Sequence, residues 1–181
     1  MCIRDRHYGN PFPSTWPLFD GYQWLAITPY TAPGATNATG IATDAAGNNP
    51  KLPTSTSPIK PLVGAVQSPS INHKNFFTDR TGVSTTPTLR WSRPGVGTAT
   101  FYEVHVFQLT NNGGNTVATQ IAKLRTQRTS LLVPKGLLST GQAYVFDILA
   151  FYVPGVNFTK TPYMNGATLG RAHVISGMMQ P

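Results

Sequence analysis

Residues 138–150 read LSTGQAYVFDILA. After Leu138 come Ser139, Thr140 and Gly141, which are residue types common in turns. Apolar side chains then recur at every second position, namely Tyr144, Phe146, Ile148 and Ala150. Successive side chains of a strand point to opposite faces, so this spacing predicts a β-strand with one apolar face. Asp147 falls between the apolar positions, and we expect it on the outward, solvated face.

A second stretch upstream shows the same period of two. Tyr102, Val104 and Val106 form its apolar set, and Glu103 occupies the opposite face, where we expect solvent. Residues 111–115 read NNGGN, and asparagine and glycine tolerate the positive φ angles of hairpin turns. The pattern predicts two antiparallel strands joined at this turn.

Short apolar runs with turn signals between them continue through the rest of the chain after residue 60. The seven candidate strands are 62–66, 88–91, 101–109, 117–124, 130–133, 143–152 and 171–175. With 17 Gly, 16 Pro and 11% charged residues, the composition also favours strands and turns. We find no long apolar window of period 3.6, so the sequence predicts an all-β fold.

The formal net charge of +8 raises the question of a nucleic-acid partner. The cations are scattered, and the closest group is Lys123, Arg125, Arg128 and Lys135. These residues alternate through a predicted strand and turn without interleaved stacking aromatics, which favours a solvated face over a phosphate-binding stripe. No apolar run approaches the roughly 20 residues of a membrane helix. We therefore expect no specific nucleic-acid partner and no transmembrane segment in these residues.

Composition divides the chain into four parts. We interpret residues 1–6, MCIRDR, as an artefact, because a transposon-end sequencing adaptor encodes a similar peptide. Residues 7–46 are predicted to be the C-terminal remnant of a truncated, β-rich upstream domain. Residues 47–59 are rich in Pro, Ser, Thr and Asn and predict a linker. Residues 60–181 are predicted to form one complete domain.

The segment 7–46 is rich in aromatic residues, including Trp16 and Trp24. Such rings are costly to leave in water, and we expect them to cover a core whose remainder lies upstream. The sharper interpretation is a platform of rings that binds sugar, with Trp16 and Trp24 as the ligand contacts. A third hypothesis is an upstream enzyme whose active site this segment borders.

From residue 60 onward the chain resembles the fibronectin type III family, an immunoglobulin-like β-sandwich of about seven strands. The resemblance rests on a proline-rich entry near Pro61, on Trp91 within LRWSRP, on Tyr102, and on the corner before Tyr144. It implies that Trp91 fills the space between two sheets and that the Tyr144 hydroxyl bonds back to the chain ahead of it as a tyrosine corner. The expected core residues are Trp91, Tyr102, Val104, Leu138, Tyr144, Phe146 and Ile148.

No motif for catalysis or cofactor binding is evident. The histidines His7, His73, His105 and His173 are widely separated and lack metal-ligand spacing, so we expect exposed strand or loop positions. The single cysteine, Cys2, has no partner for an internal disulfide. Serine-hydrolase elbows and phosphate-binding glycine loops are absent from the sequence. We expect no enzyme activity, no metal and no cofactor from these residues.

The sequence therefore favours a non-catalytic structural, spacer or protein-interaction module of a larger secreted or cell-surface multidomain protein. Its expected partners are neighbouring domains of the same chain, and polysaccharide or another surface protein. The alternative is a carbohydrate-binding accessory region of a secreted hydrolase. These two hypotheses differ in whether the aromatic rings are buried or exposed as a group.

Overall fold

The structure, a computed structural model, describes residues 13, 20–49, 60–157, 160 and 169–181. Within these residues there are twelve strands and no helix, so the prediction of an all-β fold is confirmed. The strands are β1 (Asp20–Tyr30), β2 (Thr39–Asn49), β3 (Gln67–Ile71), β4 (Lys74–Asn75), β5 (Arg80–Thr81), β6 (Thr88–Ser92), β7 (Phe101–Asn112), β8 (Asn115–Thr126), β9 (Ser130–Leu132), β10 (Ala143–Tyr152), β11 (Gly170–Ile175) and β12 (Met179–Gln180). Residues 1–6, interpreted as an artefact, lie outside the described residues.

Eight strands form the larger sheet. Its main order is β1, β2, β11, β10, β7, β8, and every neighbouring pair in this order is antiparallel. The short strand β12 also pairs with β10 and lies parallel to β5. The predicted turn between β7 and β8 is present, and Gly113 and Gly114 adopt φ angles of 57° and 87° there. Strand β10, which the opening motif predicts, is central in this sheet.

Four strands form the smaller sheet, in the order β4, β3, β6, β9. Apolar side chains of both sheets meet in one buried cluster, which includes Leu89 of β6, Val104 of β7 and Ile148 of β10. Trp91 of the smaller sheet meets Tyr102 of the larger one edge to face, with ring centroids 5.4 Å apart. The fold is therefore a β-sandwich with its main core between the sheets.

All seven residues expected in the core are buried, with relative exposures of 5% or less. The backbone N–H of Ser139 donates to the Tyr144 hydroxyl over 2.9 Å. This hydrogen bond ties the start of β10 to the turn before it, because Tyr144 is only five residues downstream of its partner. The side chain of Tyr144 thus anchors the corner that the sequence motif suggested.

The hairpin of β1 and β2 belongs to the larger sheet of the sandwich. Strand β2 pairs with β11 through Gly47 opposite Gly170 and Ala46 opposite Arg171. The hydroxyl of Tyr30 donates to the carbonyl of Ser176 over 2.6 Å, in a second buried cluster. The sequence predicts that residues 7–46 belong to an upstream domain. It does not indicate the pairing of β2 with β11, because strands over 120 residues apart leave no local pattern.

The predicted boundary at residue 46 also differs from the observed strand. Strand β2 continues to Asn49, three residues into the predicted linker. The extension is explained by pairing, because the N–H of Asn48 donates to the carbonyl of Leu169 over 2.8 Å. The rest of the predicted linker, residues 50–59, lies outside the described residues.

Candidate functional site

A group of charged side chains lies on the face of the larger sheet that is turned away from the smaller sheet. Val104 and Ile148 point into the main core, so their neighbours Glu103 and Asp147 point the other way. The register then aligns them with partners, because Glu103 is opposite Arg125 and Asp147 is opposite His105. Together with Asp44 of β2 and with Arg171 and His173 of β11, these side chains form two groups of ion pairs on this face, which we call the charge network.

Glu103 is the centre of one half of this network. Its carboxylate accepts hydrogen bonds from Arg125 Nε at 3.0 Å and Nη2 at 2.6 Å, and lies 3.1 Å from His105 Nε2. The ammonium of Lys123 is 3.7 Å away. Burial of the carboxylate raises its pKa, but the hydrogen bonds from His105 and Arg125 and the charge of Lys123 outweigh burial and lower the pKa of Glu103 to about 2.

Asp44 on the hairpin is the centre of the other half. Arg171 donates to its carboxylate from Nε at 2.7 Å and Nη2 at 2.6 Å, and Gln23 donates over 3.0 Å. The Arg171 hydrogen bonds lower the pKa of Asp44 despite the opposing effect of burial. This pair fastens β2 to β11 beside the backbone ladder.

His173 lies between two carboxylates. Its Nε2 is 3.0 Å from Asp44 Oδ1, and its Nδ1 is 2.8 Å from Asp147 Oδ2. Both ring nitrogens lie within hydrogen-bond distance of a carboxylate oxygen, so the His173 ring links Asp44 of the hairpin to Asp147 at the centre of the sheet. Asp147 Oδ1 is buried and has no hydrogen-bond partner within the described residues.

These contacts correct two expectations from the sequence. Glu103 and Asp147 were expected to be solvated, yet their exposures are 3% and 2%. His105 and His173 were expected at exposed positions, yet their side chains are 13% and 12% exposed. The sequence carried a signal for Asp147, because an apolar run on both sides of it indicates a strand buried on both faces.

The charge network also accounts for part of the basic group noted in the sequence. Lys123 and Arg125 both face Glu103, and the Arg125 guanidinium carbon lies 4.6 Å from the ring centroid of Phe101. Phe101 in turn stacks on Phe151 at 4.8 Å. Two of the four cations are thus used in contacts within the sheet.

Beside the network lies an open cleft of about 680 Å³ between the hairpin and the loop that joins β4 to β5. Trp24 and Phe77 line it, with 64% and 56% of their surfaces exposed. Polar groups of Thr43, Asp79 and His173 also line it. We call this feature the aromatic cleft.

The aromatic cleft contains one of the two predicted ligand-contact rings. Trp24 lies in it, whereas Trp16 lies outside the described residues. The sequence did not single out Phe77, because the ring sits in a loop and reaches the cleft only through the tertiary fold. The cleft combines two apolar ring surfaces with hydroxyl, carboxylate and imidazole groups, a composition typical of small-molecule sites.

The chemistry available to the charge network is defined by its contacts. His105 and His173 are hydrogen-bonded to carboxylates, and none of the described residues offers either ring a serine, threonine or cysteine nucleophile at hydrogen-bond distance. A search of the same residues finds no cluster of three or more His, Cys, Asp or Glu side chains suited to a metal ion. The contacts of the network join neighbouring strands through groups of opposite charge.

No protein-family model matches the chain, and no curated protein matches it in sequence. In the described residues there is also no helix long and apolar enough to cross a membrane. The fold, the charge network and the aromatic cleft are the features of the molecule that bear on its function.

Proposed function

We propose that the chain is a fibronectin type III-like module with a non-catalytic, structural or protein-interaction role in a larger secreted or cell-surface protein. Its partners in this role are neighbouring domains of the same chain or another surface protein. The sandwich with Trp91 between its sheets and the corner at Tyr144 support the family resemblance. The charge network supports the structural role.

The observation that carries the proposal is that the buried acids face cations and histidines of neighbouring strands. Glu103 joins β7 to β8, and Asp44 joins β2 to β11. Charge-assisted hydrogen bonds of this type hold strands in one register. Strands held in one register make the sheet rigid, and a module that transmits position or force between neighbouring domains must be rigid.

A turnover assay on the full chain tests the proposal. We expect no hydrolysis of polysaccharide, peptide or ester substrates, and a single cooperative unfolding transition in urea. His173→Gln and Asp147→Asn are expected to lower the unfolding midpoint. Turnover by the full chain that His173→Gln abolishes while the variant stays folded would contradict the non-catalytic role.

The second candidate function is contact with polysaccharide at the aromatic cleft. It is favoured by the exposure of Trp24 and Phe77 on one cleft, since large rings left in water mark binding surfaces. The ring faces would pack on the apolar faces of sugar units, and Thr43 and Asp79 would bond their hydroxyls. This function fits an accessory region of a secreted hydrolase.

Affinity electrophoresis in gels that contain soluble polysaccharides tests this candidate. Retarded migration is expected for the full chain, with retardation lost in Trp24→Ala and reduced in Phe77→Ala. Leu132→Ala is the matched control, because Leu132 is as exposed as Trp24 but lies on β9. Trp16→Ala tests the other ring that the sequence suggested. Equal migration of the full chain and Trp24→Ala in every polysaccharide would refute the candidate.

A further inference from the structure

Strand β1 forms an edge of the larger sheet in the part of the chain that the structure describes. Among the described residues it pairs with β2 alone, over eleven positions without a register shift. Trp24, Leu25 and Ile27 are 64%, 57% and 66% exposed. Edge strands in soluble proteins are usually protected by lysine, a bulge or short length, and a long apolar edge attracts another strand.

The position of Pro29 shows which backbone groups of β1 face the free edge. Pro29 lies opposite Gly40. Proline has no N–H to donate, so Pro29 and Gly40 form a non-hydrogen-bonded pair of the antiparallel ladder. Even-numbered residues of β1 therefore bond to β2, and the odd-numbered ones, including Leu25 and Ile27, direct their N–H and C=O groups to the free edge.

The hairpin is also the part of this basic chain that lacks positive charge. None of the 14 Lys and Arg residues lies in positions 20–49. The Asp44 carboxylate is already paired with Arg171. The described residues of the hairpin therefore add no cation of their own when two chains of net charge +8 approach along this edge.

We propose that the free edge of β1 pairs antiparallel with β1 of a second copy of this chain, with Leu25 of each copy opposite Ile27 of the other. A two-fold axis then passes beside Ala26, as a self-complementary interface requires. Leu25 and Ile27 of both copies form one apolar group on one face. On the other face, Trp24 of each copy lies against Thr28 of the other. The two larger sheets become one continuous sheet.

This inference rests on the proposed role as an interaction module and names its partner. Sedimentation of the full chain tests it: a 19.5 kDa species is expected at about 1 µM and a species of twice that mass at about 100 µM. Leu25→Lys combined with Ile27→Lys places charge on the edge and is expected to leave a monomer at both concentrations. Leu132→Lys, at an equally exposed leucine on an edge strand of the smaller sheet, is expected to leave the dimer intact.

Cysteine cross-linking tests the register. Cys2 is the only cysteine, so Cys2→Ser provides a clean background. In the proposed register, Ala26 of the two copies are directly opposite, with Cα atoms about 4.5 Å apart, which suits a disulfide. Ala26→Cys is expected to give a covalent dimer. Thr28→Cys on the same face is the control, because its copies lie about 14 Å apart and cannot join.

A chain that stays monomeric at 100 µM overturns the inference. In that case, protection of the β1 amides from hydrogen exchange would show that another segment of the same chain covers the edge. A dimer that Leu132→Lys dissociates and the β1 variants do not also overturns it. Cross-linking through Thr28→Cys instead of Ala26→Cys refutes the register. A monomeric chain would refute the dimer without contradicting the proposed non-catalytic role. Turnover of a substrate by the chain would refute the non-catalytic role without contradicting the dimer.

Discussion

Replacing Glu103 by glutamine is expected to destabilise the fold at neutral pH and to remove part of its acid sensitivity. The side chain is 5% exposed and carries the hydrogen bonds from Arg125 and His105. Glutamine keeps the size of the side chain but has no charge, so the nearby cations lose their counter-charge. The expected loss follows from the pKa of the carboxylate.

A pKa lowered from its usual 4.5 to about 2 corresponds to about 3 kcal/mol of folding free energy, at about 1.4 kcal/mol for each tenfold change in proton affinity. Because the folded state has the lower pKa, this contribution is present in full above pH 4.5. It is lost as pH falls from 4.5 to about 2, where the unfolded chain binds the proton first. Glu103→Gln should therefore cost about 3 kcal/mol at pH 7 and little at pH 2.

Urea denaturation at pH 7, 4.5, 3 and 2 measures this difference between the full chain and Glu103→Gln. The two curves should lie apart at pH 7 and converge toward pH 2. Asp79→Asn is the control, since Asp79 is an exposed carboxylate whose hydrogen bond from the N–H of Met178 survives the change. A gap between the curves that does not vary with pH would refute the role assigned to the Glu103 charge.

Three further predictions concern the core and the hairpin. Trp91→Ala is expected to cost about 3 to 5 kcal/mol because it empties the space against Tyr102, and an unchanged urea midpoint would contradict the core assignment. Tyr144→Phe is expected to cost about 1 kcal/mol by leaving the Ser139 N–H without its acceptor, measured by the same denaturation. Asp44→Asn is expected to speed hydrogen exchange of the β2 amides relative to those of β6, because the variant lacks the charge that pairs with Arg171. The folded state lowers the pKa of Asp44, so the wild-type hairpin should show the same faster exchange when acid protonates the Asp44 carboxylate. Equal exchange in the variant would show that backbone pairing alone holds the hairpin.

Local pattern in the sequence was sufficient for β7 and β10 of the main core. It predicted the first strand at 62–66, whereas β3 spans Gln67–Ile71. The alternation around Val104 and around Ile148 predicted β7 and β10, and the asparagine and glycine turn between β7 and β8 was read directly. The alternation of apolar and polar residues did not predict the shortest strands. The two-residue strands β4 and β5 lie between the candidate strands 62–66 and 88–91, and two residues are too few to show a period.

The polar side chains of the outer face were harder to interpret. Alternation correctly separated Glu103 from the core side of its strand, but it carried no information about what covers the opposite face. In the structure, Arg125 from β8 and His105 from the same strand enclose the carboxylate. Trp24 was identified as a candidate contact from its residue type, whereas Phe77 joined it only because two distant segments meet at the aromatic cleft.

The sequence by itself determined that this chain folds into β-strands, which strand face points into the main core, and where the corner at Tyr144 lies. The strands and their core faces leave a period of two in the sequence, and the corner at Tyr144 was implied by the resemblance to the fibronectin type III family. Only the tertiary structure decided that the β1 and β2 hairpin extends the larger sheet and that His173 meets both Asp44 and Asp147. Those contacts join positions as much as 129 residues apart in the sequence, and their free energy depends on partners that no local window contains.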